Sequence, residues 1–196
     1  MEMKSIAVFD FDGTLTTRDT LFQFIRFVKG TPAFCWGLFC CSPFLLALAL
    51  HLYPNGKAKQ RFFAHFFKGM DYERFCEYGV AFAPRVNSML RATTVQQLRE
   101  HLLAGHGVYV VTASIEEWVR PWCQSLGVTG VVGTKVEVAD GILTGRFCTP
   151  NCYGKEKVRR FLEIAPPRSS FVLTAYGDSR GDEPLLQLAD FAVRVG

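Results

Sequence analysis

Two carboxylates carry the first chemistry in this chain. Asp10 and Asp12 flank Phe11 at the end of a short apolar run, Ser5 to Asp10, and Gly13 and Thr14 follow. In extended backbone, residues two apart point to the same side, so Asp10 and Asp12 converge while Phe9 and Phe11 face the core. Carboxylates gathered at a buried strand end repel each other and lose hydration, and Mg²⁺ is a cation suited to such an oxygen-rich site. Gly13 lets the chain leave the strand sharply, and Thr14 offers a hydroxyl.

A second apolar run ends in Thr112-Ala113-Ser114 ahead of a helical stretch. A hydroxyl beside the free N–H groups of a helix N-terminus can cradle phosphate, and an ordinary helix cap at Thr112 or Ser114 is the alternative. A third run ends Tyr176-Gly177-Asp178-Ser179-Arg180-Gly181-Asp182. Asp178 reaches the pocket of Asp10 if the two strands are neighbours, and Asp182 can orient a lysine or a metal's water shell. Lys157, near a helix start, is a cation for a phosphoryl oxygen. Lys155 competes for that role; residues two apart point to different helix faces, so one of the two enters a site.

These residues need a scaffold, and the texture of the chain supplies one. Strand-like runs at Ser5–Asp10, Val108–Thr112, Val131–Thr134 and Phe171–Ala175 alternate with helical stretches at 86–104, 116–126, 154–164 and 183–188. Ala192–Val195 reads as an edge strand. Such alternation predicts an α/β fold, a mostly parallel sheet flanked by helices, with ligands beyond the carboxyl ends of the strands. Asp140-Gly141 between two short alternating runs predicts a hairpin. The charged face of the 154–164 helix is read as carrying Lys155, Lys157, Arg159 and Arg160. Residues 18–85 read as a helical insertion that holds 12 of the 18 phenylalanines.

The constellation resembles the haloacid dehalogenase-like hydrolase superfamily, and within it the phosphoserine-phosphatase-like subfamily IB. The resemblance rests on Asp10-Phe-Asp-Gly-Thr-Leu-Thr, Val110-Val-Thr-Ala-Ser, Lys157 and Gly177-Asp-Ser-Arg-Gly-Asp. Asp140-Gly-Ile-Leu-Thr-Gly and Asn151-Cys-Tyr-Gly-Lys-Glu-Lys-Val look similar to that subfamily too. It implies a Rossmannoid core of residues 1–17 and 86–196, with 18–85 as a cap. It also implies a Mg²⁺-dependent phosphomonoesterase in which Asp10 is the nucleophile and Asp12 the acid and base. Thr112, Ala113, Ser114, Thr14 and Lys157 would hold the phosphoryl group. Asp10, the Asp12 carbonyl and Asp178 would hold the metal, with Asp182 in support.

Phosphoserine phosphatases usually carry Ser-Gly-Gly where this chain has Thr112-Ala113-Ser114, and an Arg-Val pair where it is rich in phenylalanine around Phe62–Phe67. Both differences argue against phosphoserine and leave a small soluble phosphate ester as the expected substrate. A lipid phosphate at a membrane surface is the alternative. Ala33–Leu52 is about as long as a membrane span, although Ser42, Pro43 and His51 interrupt it. Packed cap helices, an interfacial hairpin and a spanning helix are the three readings of that stretch. Residues 18–85 hold nine basic and four acidic residues, so the insertion carries the chain's whole excess charge of +4. A prokaryotic phosphatidylglycerophosphate phosphatase of this superfamily looks similar in its apolar cap. A third possibility, a non-catalytic protein that binds phosphorylated ligands or a partner, predicts a damaged motif, and none is visible.

The remaining composition excludes other classes. The charge is mild and no basic run occurs, which argues against nucleic acid as partner. Seven cysteines make no disulfide framework; Cys148 and Cys152 lack the second pair of a zinc site and read as reduced, buried thiols. Met1–Asp10 lacks the apolar core of a signal peptide, so the expected location is the cytoplasm, with the inner membrane face as an alternative. The four histidines, His51, His65, His101 and His106, show no ligand spacing.

Overall fold

The computed structural model describes residues 4–50 and 52–196, apart from the side chains of Leu45 and Ala49. The expectations that fall on Met1–Met3 and His51 lie outside the described residues. Strand β1 (Lys4–Phe9) is followed by four helices: α1 (Thr20–Lys29), α2 (Thr31–Ala49), α3 (Asn55–Phe67) and α4 (Tyr72–Val86). Then come α5 (Ala92–Leu103), β2 (Gly107–Ile115), α6 (Glu116–Ser125) and β3 (Gly130–Thr134). A hairpin of β4 (Val136–Ala139) and β5 (Ile142–Phe147) precedes α7 (Lys155–Ile164), β6 (Phe171–Gly177), α8 (Glu183–Leu188) and β7 (Phe191–Arg194).

The sheet is parallel throughout, in the order β3-β2-β1-β6-β7. Side chains of β1 alternate between its two faces. Ala7 and Phe9 join a core beneath α5, α6 and the inserted helices, whereas Ile6 and Val8 join a second core beneath α7 and α8. Burial on both faces is why the strand reads as a continuous apolar run. Phe9 stacks on Tyr176 of β6, and His101 bonds the Tyr176 hydroxyl at 2.9 Å, so that histidine has a structural partner. At the β4–β5 turn, Asp140 and Gly141 both have positive φ, as a tight hairpin requires.

Strand β2 runs on to Ile115, three residues beyond the expected end, and neither Thr112 nor Ser114 caps α6, whose N-cap is Ile115. The pairing with β3 is irregular between Val111 and Ile115, so Thr112, Ala113 and Ser114 leave the ladder. Bulges of this kind re-aim side chains next to functional sites.

In α7, the expected single charged face is split. Lys157, Arg160 and Phe161 are buried at a spacing of three and four, while Lys155 and Arg159 face solvent. Among the inserted helices, Phe24 packs against Phe67, Phe75, Phe82 and Trp118, which accounts for much of the aromatic density. All seven cysteines are free, but Cys35, Cys40 and Cys148 are exposed, contrary to the expectation of buried thiols. Two of these lie on α2, whose outer face is not covered.

Candidate active site

Because β1 lies between β2 and β6, the three carboxyl ends open onto one crevice, and the chemistry collects there. A cavity of about 300 Å³ is lined from the core side by Asp10, Asp12, Thr112, Ala113 and Lys157. Leu21, Phe22, Leu48, Lys59 and Phe62 line it from the inserted helices.

Lys157 is buried, with its ammonium 2.6 Å from Asp10 and 2.5 Å from Asp182. Lys155 is exposed and takes no part. Asp182 also accepts from the Ser179 N–H and hydroxyl. Burial alone would raise its pKa, but Lys157 and Ser179 hold it below the usual carboxylate range. Asp10 goes the other way. Burial, aided by Asp182 and Asp12, pushes it up to about 7 even though Lys157 opposes the change. Its Oδ1 lies beside the ammonium without the alignment of a hydrogen bond and has no other donor among the described residues.

Asp178 is held by the Thr14 hydroxyl at 3.0 Å. Its carboxylate passes so close to Gly13 that a Cβ there would sit 2.3 Å from Oδ2, and Gly13 has φ +82°. Both facts demand glycine at that turn. Carboxylate oxygens of Asp10, Asp178 and Asp182 lie within 4.8 Å of one another. Three carboxylates against one ammonium, with a buried oxygen left unpaired, fit a hard divalent cation.

Asp12 stands apart from that cluster. Its side chain accepts from the Thr20 N–H at 2.8 Å, at the start of α1, and from the Ser114 hydroxyl. Burial and the nearby Asp19 raise its pKa despite these bonds. Thr14 and Ser114, expected to touch substrate, do not line the cavity; they position Asp178 and Asp12. Thr112 and Ala113 do line it.

Four residues were not singled out from sequence. Lys59 of α3 enters the cavity and donates to the Ala113 carbonyl at 2.5 Å, and desolvation lowers its pKa. Asp19 caps α1 through the Leu21 and Phe22 N–H groups. Buried Glu116 accepts from the Gly133 N–H and pairs with Arg160, locking the helix that carries Lys157 onto β3. An Asp directly ahead of a helical stretch was the available signal for Asp19; Lys59 and the Glu116–Arg160 pair had none.

This geometry can be set beside known proteins. The family model for haloacid dehalogenase-like hydrolases matches residues 7–187. The chain belongs to that family. Protein CicA of Caulobacter vibrioides is 34% identical over 193 residues, covering 94% of this chain and 83% of its own. The histidinol-phosphatase of Neisseria meningitidis is 27% identical, covering 98% and 90%. A phosphoserine phosphatase solved as a phospho-aspartyl intermediate analogue superposes with a TM-score of 0.64 at 17% identity, over 98% of this chain and 87% of that one, and so shares the fold. The chain is therefore an enzyme of this hydrolase family.

Proposed function

We propose that the protein is a Mg²⁺-dependent phosphomonoesterase that works through an aspartyl-phosphate, with residues 18–85 as its cap. The observation that carries this reading is the separation of two neighbouring aspartates into unlike environments. Asp10 is paired with Lys157, which favours its ionised form against burial and the acidic cluster; Asp12 faces the Ser114 hydroxyl, the α1 N-terminus and Asp19, with its pKa raised. Two carboxylates in unlike surroundings, one paired with a lysine and one with a hydroxyl, suit a nucleophile and an acid.

In the first step a carboxylate oxygen of Asp10 bonds to phosphorus as the bond to the leaving oxygen breaks, and Asp12 gives its proton to that oxygen. In the second, Asp12 takes a proton from water, the water oxygen bonds to phosphorus, and the Asp10 carboxylate departs, leaving inorganic phosphate. Lys157, Thr112 and Ala113 hold the phosphoryl oxygens, the Ser114 N–H being taken by the Thr112 hydroxyl. Bound between Asp10, the Asp12 carbonyl and Asp178, Mg²⁺ would neutralise charge between anionic nucleophile and anionic substrate. Lys59 and the apolar wall of Phe22, Leu48 and Phe62 face the leaving group.

A small soluble ester in the cytoplasm is the first reading of the substrate. The second puts the ester on a lipid at the inner membrane face, and it is favoured because Leu48, from a helix with a bare apolar face, forms part of the cavity wall. Phosphate release from a panel of soluble and micellar esters, with Mg²⁺ and with EDTA, tests both. Turnover that survives EDTA or Asp10→Asn would sink the mechanism.

A further inference from the structure

The segment that does least for the active-site chemistry has the least ordinary surface. No residue from 30 to 56 is charged, and no carboxylate occurs between Asp19 and Asp71. The helix α2 built from this stretch buries only one side. Phe34, Gly37 and Cys41 turn toward α3, so closely that a Cβ at Gly37 would sit 2.0 Å from the Phe66 ring. The opposite side presents Trp36 (63% exposed), Phe39 (70%), Leu46 (62%) and Leu50 (60%), and Leu52 continues it at 77%. Their spacing of three, seven and four residues keeps them on one stripe about 21 Å long. Scattered apolar side chains at a surface need no explanation, but an uncharged stripe does.

Its borders indicate the occupant. Exposed Arg26 and Lys29 precede α2, with Arg26 over the Phe34 ring; exposed Lys57 and Arg61 lie on α3, with Arg61 over the Phe44 ring, and exposed Lys68 follows that helix. In a two-fold pairing of copies the patch meets itself, which sets these cations against one another or against an uncharged stripe. An anionic bilayer meets both features at once, with headgroups for the cations and acyl chains for the stripe, and Trp36 suits the boundary between them. No helix among the described residues is long and apolar enough to cross a membrane, so the geometry is that of a helix lying in the surface.

We propose that the outer face of α2 docks the protein onto an anionic membrane surface. Leu48 of α2, on the side of the helix shared with Cys41, lines the cavity with Asn55 and Lys59 of α3, so docking sets the cavity one helix diameter, ~10 Å, from the surface. The docking stands without the phosphatase reading; its consequence for substrate choice rests on it.

The test uses the whole chain with vesicles of phosphatidylglycerol and phosphatidylcholine, and with phosphatidylcholine alone, by flotation and by tryptophan emission. Trp118 and Trp122 are buried, so a blue shift reports Trp36. Binding to the anionic vesicles with a blue shift is expected, weakened about tenfold or more by Trp36→Ser with Phe39→Ser. Lys57→Glu with Arg61→Glu weakens it by at least about fivefold for each charge. Hydrolysis of p-nitrophenyl phosphate stays unchanged in both variants. A wild-type protein that neither floats nor shifts its emission overturns the proposal. So does binding indifferent to both pairs of changes, or a dimer that dissociates on Trp36→Ser with Phe39→Ser while vesicles are ignored. Vesicle binding by a wild-type chain that hydrolyses no ester would instead sink the phosphatase reading and leave the docking intact.

Discussion

The floor of the cavity and its roof are built differently. On the floor, the polar groups are tied by partners from separate elements: Lys157 by Asp10 and Asp182, Asp182 by Ser179, Asp12 by Thr20 and Ser114, and Asp178 by Thr14. The roof offers one cation, Lys59, held by a single backbone carbonyl, and an apolar wall. Phosphoryl transfer depends on groups that do not reorganise, whereas recognition of a leaving group tolerates a surface that varies. Under the proposed reaction, the difference puts chemistry below and substrate choice above.

The largest effect that would sharpen this division is Asp10→Asn, expected to lower kcat by about 10⁴-fold or more on every ester while the fold persists. Next is Asp12→Asn: the first step, read as the burst of released leaving group, slows about 10²- to 10⁴-fold with alkyl phosphates and much less with p-nitrophenyl phosphate, whose leaving group needs no proton, while the shared water step slows for both. If the two bursts slowed equally, Asp12 would not be the acid.

Lys157→Met leaves Asp10 and Asp182 buried without their cation, and should destabilise the protein by about 3–5 kcal/mol in denaturant titrations. Magnesium should recover part of that loss. A smaller, pH-dependent effect follows from Asp10. Its folded-state pKa of about 7 lies above the unfolded value, so its proton must leave before a cation binds. The rise in melting temperature on adding Mg²⁺ should therefore grow as pH increases from 6 to 8, and a flat response would count against Asp10 as a ligand. Smallest on the floor and largest on the roof is Lys59→Met. We expect little change in p-nitrophenyl phosphate turnover and about tenfold or more in kcat/KM for the best physiological ester, read as a KM-against-kcat split. An equal loss on both esters would move Lys59 into the floor.

The residues of the candidate site were legible because each lies at or just beyond the carboxyl-end region of a strand. Asp10, Asp12, Thr112, Asp178 and Asp182 follow apolar runs, and the parallel sheet brings those ends together whatever the helices do. The choice between Lys155 and Lys157 was not legible. A charged helix turn does not say which lysine faces inward, and the Glu116–Arg160 pair that orients α7 joins residues 44 apart. Thr14 and Ser114 were placed in the right neighbourhood with a different task, since hydroxyls serve phosphate and carboxylate alike. Lys59 gave no signal, because a lysine on a basic helix looks like any solvated cation.

Local patterning thus determined the strands, the acidic clusters at their ends and the aromatic insertion, since these depend on alternation and turn chemistry within a few residues. Tertiary structure alone decided which lysine meets Asp10, that Thr112–Ser114 would be lifted from the ladder by a bulge, and which side of α2 would be left bare. A helix apolar on all sides carries no periodicity to mark its buried face; Gly37 meeting Phe66 across the interface chose it.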